Sequence, residues 1–465
     1  MAEELYGFDA SPVDVARGLH LAGVAGLVLF DSGRATGARW SILACEPTKV
    51  LTEREGRFVE LPGEREVDDP VEWLTLGAGA SCPRSRVLEA LAPKRGQDAL
   101  APKSLPFHGG LAGLLGFEFA WQLDDIHAPR KPAPTPDLWV GDYPCALVYS
   151  HAEGRWWLTG DADSPAADKL REAVRRPQTA TPSTAEGARF RLTITADEYA
   201  ARVQRAIDAI YAGELFEVNY TERFCADWRG DGFALFDALR QTSSGAYGAY
   251  LDAGDFQLAS VSPEQFLAVR DGHVITRPIK GTRRRGDTPE EDASLAEDLV
   301  TSAKDRAENV MIVDLMRNDL TRVCKLGSVE ATEVCGLYSF EGVHHLISTV
   351  EGDLEEGLSS MDALLASFPP GSITGAPKLR SIELIAELEE TARGPYTGTL
   401  FFASADGTLD SSVLIRTAVL CDETVWYGAG GAVVADSDPM GEYEEACVKA
   451  RPLQTVVEGE GDDAE

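Results

Sequence analysis

Arg277-Pro278-Ile279-Lys280-Gly281-Thr282 decides how this chain is read. The six residues read as a strand running into a tight turn, with a lysine at the bend. An amine placed there can act as a nucleophile, which a methyl group cannot. The lysine is crowded in sequence by Arg277, Arg283, Arg284 and Arg285. Like charges lower a lysine pKa and favour the neutral amine, so these arginines are expected to activate Lys280. Sixteen residues upstream, Ser262-Pro263-Glu264 separates the apolar strand runs 257–261 and 265–269. The proline fixes the turn and presents Glu264 at a strand junction. A hairpin of that length brings Glu264 and Lys280 to one face. Taken singly, each residue reads as blandly: a turn glutamate in solvent, and a strand-end lysine whose stem snorkels to water.

Working outward, the pattern mixes strands and helices without regular β-α-β alternation. Residues 1–160 read mainly as strands and turns, among them 25–30, 40–44, 138–140 and 145–149. The glycine-rich run 107–116 predicts close backbone packing of strands. Helical spacing occurs over 195–212, 288–318 and 373–390, with strands at 215–224, 399–403 and 413–415. The fold class expected is α+β with large antiparallel sheets. The chain divides into an N-terminal region over 1–176, a linker over 177–190, a catalytic domain over 191–457 and an acidic tail over 458–465 that is expected to fray.

Composition narrows the function. The chain has 465 residues, 76 of them acidic and 43 basic, for a formal net charge of −33. Nucleic acid and anionic membrane surfaces both need a positive footprint, so neither is an expected partner. The apolar run 21–30 contains glycines and is about half the ~20 residues a membrane span needs. The acidic start Met1-Ala2-Glu3-Glu4 has no signal-peptide character. Eight scattered cysteines, with no Cys-x-x-Cys pair, read as free thiols in a reducing compartment. The expected location is the cytoplasm.

Four further constellations could carry chemistry. Asp305 and Glu308 share a helix face, as do Glu442 and Glu445, with Lys449 four residues on. Two such helices could hold one magnesium, partly through water, against a carboxylate-bearing substrate. Solvated acidic faces are the plainer reading of the spacing. The loop 368–378 leaves small residues before a helix N-terminus, where amides could meet an anion. Tyr427 to Ala432 reads as a glycine turn with amides to offer. Arg416 is placed on a strand, where burial would demand an anionic partner. Lysines number only ten against thirty-three arginines, and Lys280, Lys304, Lys378 and Lys449 all fall in these motifs.

Taken together and in order, Ser262-Pro263-Glu264, Pro278 to Thr282, Asp305 to Glu308, His344-His345, Gly371 to Lys378, Ile415-Arg416-Thr417 and Glu442 to Glu445 resemble the chorismate-binding family. That family includes anthranilate, aminodeoxychorismate, isochorismate and salicylate synthases. Glu46-Pro47, Gly109 to Gly113 and Pro136-Asp137 resemble it more weakly. The resemblance implies two large packed antiparallel sheets with helices outside, and an N-terminal region like that of anthranilate synthase component I. It implies Lys280 as nucleophile, Glu264 as general acid and His345 as the active-site histidine. It further implies chorismate held by Gly281, Thr282, Tyr396, Arg416, the amides of Gly430, Gly431 and Ala432, and Lys449. Glu308 and Glu445 match magnesium ligands, with Asp305 and Glu442 behind them. Lysine at position 280 resembles the aminodeoxychorismate-forming members, which make a precursor of 4-aminobenzoate and folate; alanine would resemble anthranilate synthase. The chain has no glutaminase motif, so the resemblance implies a separate glutamine amidotransferase subunit. Glu217 stands where the isochorismate and salicylate synthases carry a lysine, which argues against those two activities, and Ala432 stands where glycine is usual. Ser32, Arg39 and Trp40 lie near the family's regulatory tryptophan pocket. The alternatives are anthranilate synthase component I and an inactive binding subunit.

Overall fold

Apolar β-branched and aromatic runs pair antiparallel into two sheets of twelve strands each. A computed structural model describes residues 2–33, 39–80, 105–180, 188–242 and 245–458. Half of the linker, Cys82 and the tail beyond 458 fall outside it. The first sheet runs, in spatial order, Ala2–Leu5, Arg155–Gly160, Cys145–Ser150, Trp40–Ala44, Val28–Asp31, Tyr247–Asp252, Phe256–Ser262, Thr417–Cys421, Thr424–Val433, Glu217–Asp227 and Arg191–Leu192. Gly375–Ala376 joins it beside Glu217. The second runs Ile279–Arg284, Val343–Asp353, His273–Thr276, Gln265–Arg270, Leu409–Val413, Thr399–Ser404, Gly110–Leu115, Leu138–Tyr143, Lys49–Arg54, Arg57–Leu61 and Arg65–Glu66, with Glu330–Ser339 also paired to Val343–Asp353.

Strands from before and after the linker meet inside both sheets. Val28–Asp31 pairs with Tyr247–Asp252, and Gly110–Leu115 with Thr399–Ser404. The glycine-rich run is a strand packed backbone to backbone, as its composition predicts. A Cβ on Gly113 would lie 2.1 Å from the Trp139 carbonyl oxygen. Between the sheets, Val28, Leu258 and Val419 from one face meet Leu114, Trp139 and Phe402 from the other. Each such side chain removed from water contributes about 1.5–3 kcal/mol. Helices cover the outer faces. Ala196–Tyr211 starts with a Thr195/Glu198 capping box, and Pro12–Leu21 and Pro165–Arg175 are capped by Ser11 and Ser164. Those last two helices were not legible among the strand signals of the first 176 residues.

Two of the places where the chain passes between the sheets lie side by side. Ser262-Pro263-Glu264 leaves the first sheet and enters the second; Leu414-Ile415-Arg416 returns. Proline has no N–H to lose at such a break. The Val261 amide donates to the Arg416 carbonyl at 3.1 Å, the Val413 amide to the Glu264 carbonyl at 3.1 Å, and Ser262 Oγ to the Val413 carbonyl at 2.6 Å. Arg416 is therefore not on a strand. It sits in the crossing with φ +50°, because a chain changing sheets cannot keep extended geometry.

Candidate active site

Lys280 belongs to Ile279–Arg284, which pairs with Val343–Asp353 on both sides of an irregularity between Ile279 and Thr282. The expected turn is thus a bulge inside a continuing strand. Gly281 takes φ +94°, and a Cβ there would press on Asp305 and Leu299 at 3.1 Å. Glycine is what lets the strand kink and turn Lys280 inward. Asn309 anchors the bulge, donating through Nδ2 to the carbonyls of Lys280 and Leu346.

The Lys280 side chain is 11% exposed, and its Nζ lies 2.7 Å from Oε1 of the fully buried Glu217. Burial pulls the lysine pKa down, but Glu217, Glu308 and Glu264 together lift it above its ordinary value. The arginines therefore do not activate it. Arg283 is bound to Asp298 and Asp305, Arg284 to Glu291, and Arg285 to Asp292, so their charge is spent on their own helix contacts. Lys280 rests as an ammonium.

Glu264 is buried at the first sheet crossing. Its Oε1 accepts from Ser372 Oγ at 2.7 Å and from the Ile279 amide at 3.5 Å. Burial pushes its carboxyl up to about 7, against the pull of Ser372, Ile279 and Lys280. A proton is thus available at neutral pH, as a general acid needs. Ser372 comes from the loop 368–378. That loop is buried rather than open to an anion; it serves as a wall that orients Glu264, and Lys378 turns away to Asp319.

His345 faces Thr282, whose hydroxyl lies 2.8 Å from Nδ1. Burial and then the Arg416 charge hold its pKa down to about 4, so it is neutral. The Arg416 side chain has no carboxylate partner among the described residues, and the crowding of protein atoms alone lowers its pKa. It remains open to solvent. An unpaired guanidinium beside a neutral histidine suits an incoming carboxylate.

Tyr427 to Ala432 is not a turn. It lies within Thr424–Val433, where Gly430, Gly431 and Ala432 pair with Thr221, Tyr220 and Asn219. On the other side Thr417–Cys421 pairs only as far as Trp426, which leaves one edge of the strand beyond it free of that neighbour. Small residues are required for space. A Cβ on Gly431 would lie 2.6 Å from Glu442 Oε2 and 3.3 Å from Glu445 Oε1. Lys449 Nζ reaches the Gly430 carbonyl at 2.9 Å and Glu445 at 2.6 Å. Tyr396 is buried against Gly428, with Arg223, Glu389 and Arg393 around it. No hydrogen bond or ion pair joins it to Lys280, Glu264 or Arg416 among the described residues.

The acidic helices are Ala303–Thr321 and Pro439–Glu458. Burial raises the pKa of Glu308, whose Oε1 is 3.9 Å from Lys304, and of Glu442. Glu442 Oε1 accepts from Ser437 at 2.7 Å, while its buried Oε2 has no donor among the described residues. No three such side chains converge as a metal-ligating cage among the described residues. Magnesium takes one or two carboxylates plus water and substrate oxygens, so two half-desolvated pairs with an orphaned oxygen fit it.

Ser32, Arg39 and Trp40 lie at the ends of Val28–Asp31 and Trp40–Ala44 in the first sheet, and no hydrogen bond or ion pair among the described residues joins them to this cluster. Ser32 Oγ donates to the Trp40 carbonyl at 2.7 Å, Trp40 packs edge-on to Trp157, and Arg39 is exposed.

The sequence profile described as chorismate binding enzyme matches residues 52–455. An aminodeoxychorismate synthase component 1 from Klebsiella aerogenes is 36% identical over 430 residues, 92% of each chain. An anthranilate synthase component 1 from Cereibacter sphaeroides is 37% identical over 374 residues, 77% of this chain and 75% of that one. The solved anthranilate synthase component I from Streptococcus pneumoniae superposes with a TM-score of 0.76 at 30% identity, covering 90% of this chain and 93% of its own. No helix among the described residues is long and apolar enough to cross a membrane.

Proposed function

Because the chain belongs to the chorismate-binding enzyme family, we propose that it is the component that aminates chorismate at C4 to give 4-amino-4-deoxychorismate. A separate glutamine amidotransferase subunit would supply the ammonia, as the component 1 names of its relatives suggest. The observation that carries this reading is Lys280, an amine buried beside a protonatable Glu264 at the junction of the two sheets.

Chorismate would lie with a carboxylate on Arg416 and its ring between Lys280 and Glu264. Lys280 Nζ, as the amine, bonds to C2 while the ring double bonds shift and the C4–O bond breaks. The Glu264 proton leaves with that oxygen as water. Ammonia then bonds to C4, the double bonds return, and the C2–Nζ bond breaks. Two easier displacements replace one hard one. Glu308 and Glu445 would hold magnesium, with Asp305 and Glu442 behind them; bound there, it would neutralise the substrate's ring carboxylate. Neutral His345 and the Thr282 hydroxyl would order the substrate's polar groups without adding charge.

The competing activity, anthranilate formation, is carried in the names of similar proteins. Lys280 stands against it. The test is product identity: chorismate, magnesium and ammonium, with and without an aminodeoxychorismate lyase. 4-Aminobenzoate that appears only with the lyase is the expected result. Anthranilate as the main product overturns the proposal, and no turnover at all makes the chain a binding subunit.

A further inference from the structure

The site that would use Lys280 as a nucleophile holds it as an ammonium, and an ammonium has no lone pair. Some group must take a proton before Nζ can bond to carbon. The carboxylates that bear most on Nζ are Glu217 from Glu217–Asp227, Glu308 from Ala303–Thr321 and Glu264 from the sheet crossing. Only Glu217 touches it, at 2.7 Å. Glu264 is turned to Ser372 and Ile279, and Glu308 stands nearer Lys304. The neighbouring cations, Arg283, Arg284 and Arg285, are occupied by their own carboxylates.

Glu217 is also suited to receive a proton. A carboxylate that accepts two or three hydrogen bonds is a poor base. The Glu217 side chain is fully buried; among the described residues its Oε1 accepts only from Lys280, and its buried Oε2 has no donor. Proton transfer across 2.7 Å needs no movement of heavy atoms.

We propose that Glu217 is the proton acceptor for Lys280, holding its proton for the lifetime of the covalent intermediate and returning it afterwards. The inference rests on the amination reading above. The protons balance. Lys280 gives one proton to the Glu217 carboxylate and bonds to C2 as an amine, becoming a secondary ammonium. When ammonia displaces it, the C2–Nζ electrons stay on nitrogen and Lys280 leaves as the neutral amine. Glu217 then returns the proton, restoring the ion pair.

The test compares wild type, Glu217→Gln and Glu217→Asp over a pH series at constant free ammonia, with folding checked by thermal unfolding. Glu217→Gln is expected to lower kcat about 10²–10³-fold near neutral pH, within the range for losing a general base. The loss should shrink as pH rises and solvent removes the Lys280 proton, with KM for chorismate little changed. Glu217→Asp should keep the wild-type shape of the profile with a smaller loss. A wild-type profile in Glu217→Gln, or equal pH-independent losses in both variants, overturns the role. A second readout needs no turnover: acetic anhydride labelling of Lys280 against pH, read by peptide mass spectrometry. Its midpoint should fall in Glu217→Gln, and an unmoved midpoint overturns the pairing. Anthranilate from the wild type would sink the amination reading and this one together. 4-Amino-4-deoxychorismate with an unaffected Glu217→Gln profile sinks only the role of Glu217.

Discussion

Lys280 and Lys378 are buried to nearly the same degree and are partnered differently. Lys378 Nζ meets Asp319 at 2.6 Å and the Ser367 carbonyl at 2.7 Å, with the two side chains 10% and 4% exposed. Lys280 Nζ meets Glu217 at 2.7 Å, with the side chains 11% and 0% exposed, but Glu217 keeps an unpartnered oxygen. The Lys378 pair ties the loop 368–378 to Ala303–Thr321. The Lys280 pair stands at a bulge beside a carboxyl that can be protonated at neutral pH. Burial alone therefore does not distinguish the two lysines. The unmet hydrogen-bonding capacity of the carboxylate partner, among the described residues, does.

The widest separation between the two should come from Lys280→Ala, which removes the nucleophile. On the proposed chemistry kcat for amination falls at least about 10⁴-fold, as when a covalent nucleophile is deleted elsewhere. Lys378→Met should do the reverse. It leaves Asp319 buried without its cation, which costs about 3–5 kcal/mol of stability in urea unfolding, while the rate per folded molecule stays close to wild type. If both variants lost stability alike and Lys280→Ala kept its rate, the distinction between the lysines would collapse.

Glu264 sharpens the comparison. Its folded pKa is raised to about 7, so the competent acid form predominates below that value and is lost as pH rises through it. At constant free ammonia, kcat/KM for chorismate should decline above about pH 7. Glu264→Gln should lose about 10²–10³-fold and flatten that limb. A wild-type limb that survives in Glu264→Gln would assign the proton to another group. The smallest effect is expected at Arg416. Arg416→Gln should raise KM for chorismate by about tenfold, one charge-assisted hydrogen bond of roughly 1.5 kcal/mol, with kcat nearly kept. An equal fall in kcat would mean the arginine acts in the transition state instead.

Much of this was legible in the residues. The strand at 40–44, the glycine run packed against Trp139 and the helix behind Thr195 follow from local pattern, because pairing and capping depend on near neighbours. The motifs that resemble the family also named the side chains that meet around the sheet junction. Expectations failed where tertiary contacts overrule local ones, and three of them concern the backbone. The bend at Gly281 is a bulge, Tyr427 to Ala432 is a strand, and Arg416 lies in a crossing. Glycine marks a special backbone position in all such settings, and sequence does not say which neighbour makes it special. Ser372 was inside a noted loop, but nothing local pointed it at Glu264, 108 residues away.

The sequence by itself determined the α+β class, the antiparallel strands, the family and the identity of the amine at position 280. Only the tertiary structure decided the charge on that amine. Arg283, Arg284 and Arg285, beside Lys280 in sequence, are turned to Asp298, Asp305, Glu291 and Asp292, and the charges that bear most on it are Glu217, Glu308 and Glu264. Glu217 is 63 residues away along the chain and touches it through the join of the two sheets. Electrostatic energy depends on separation in space and on exclusion of water. Neither quantity is written in the order of residues.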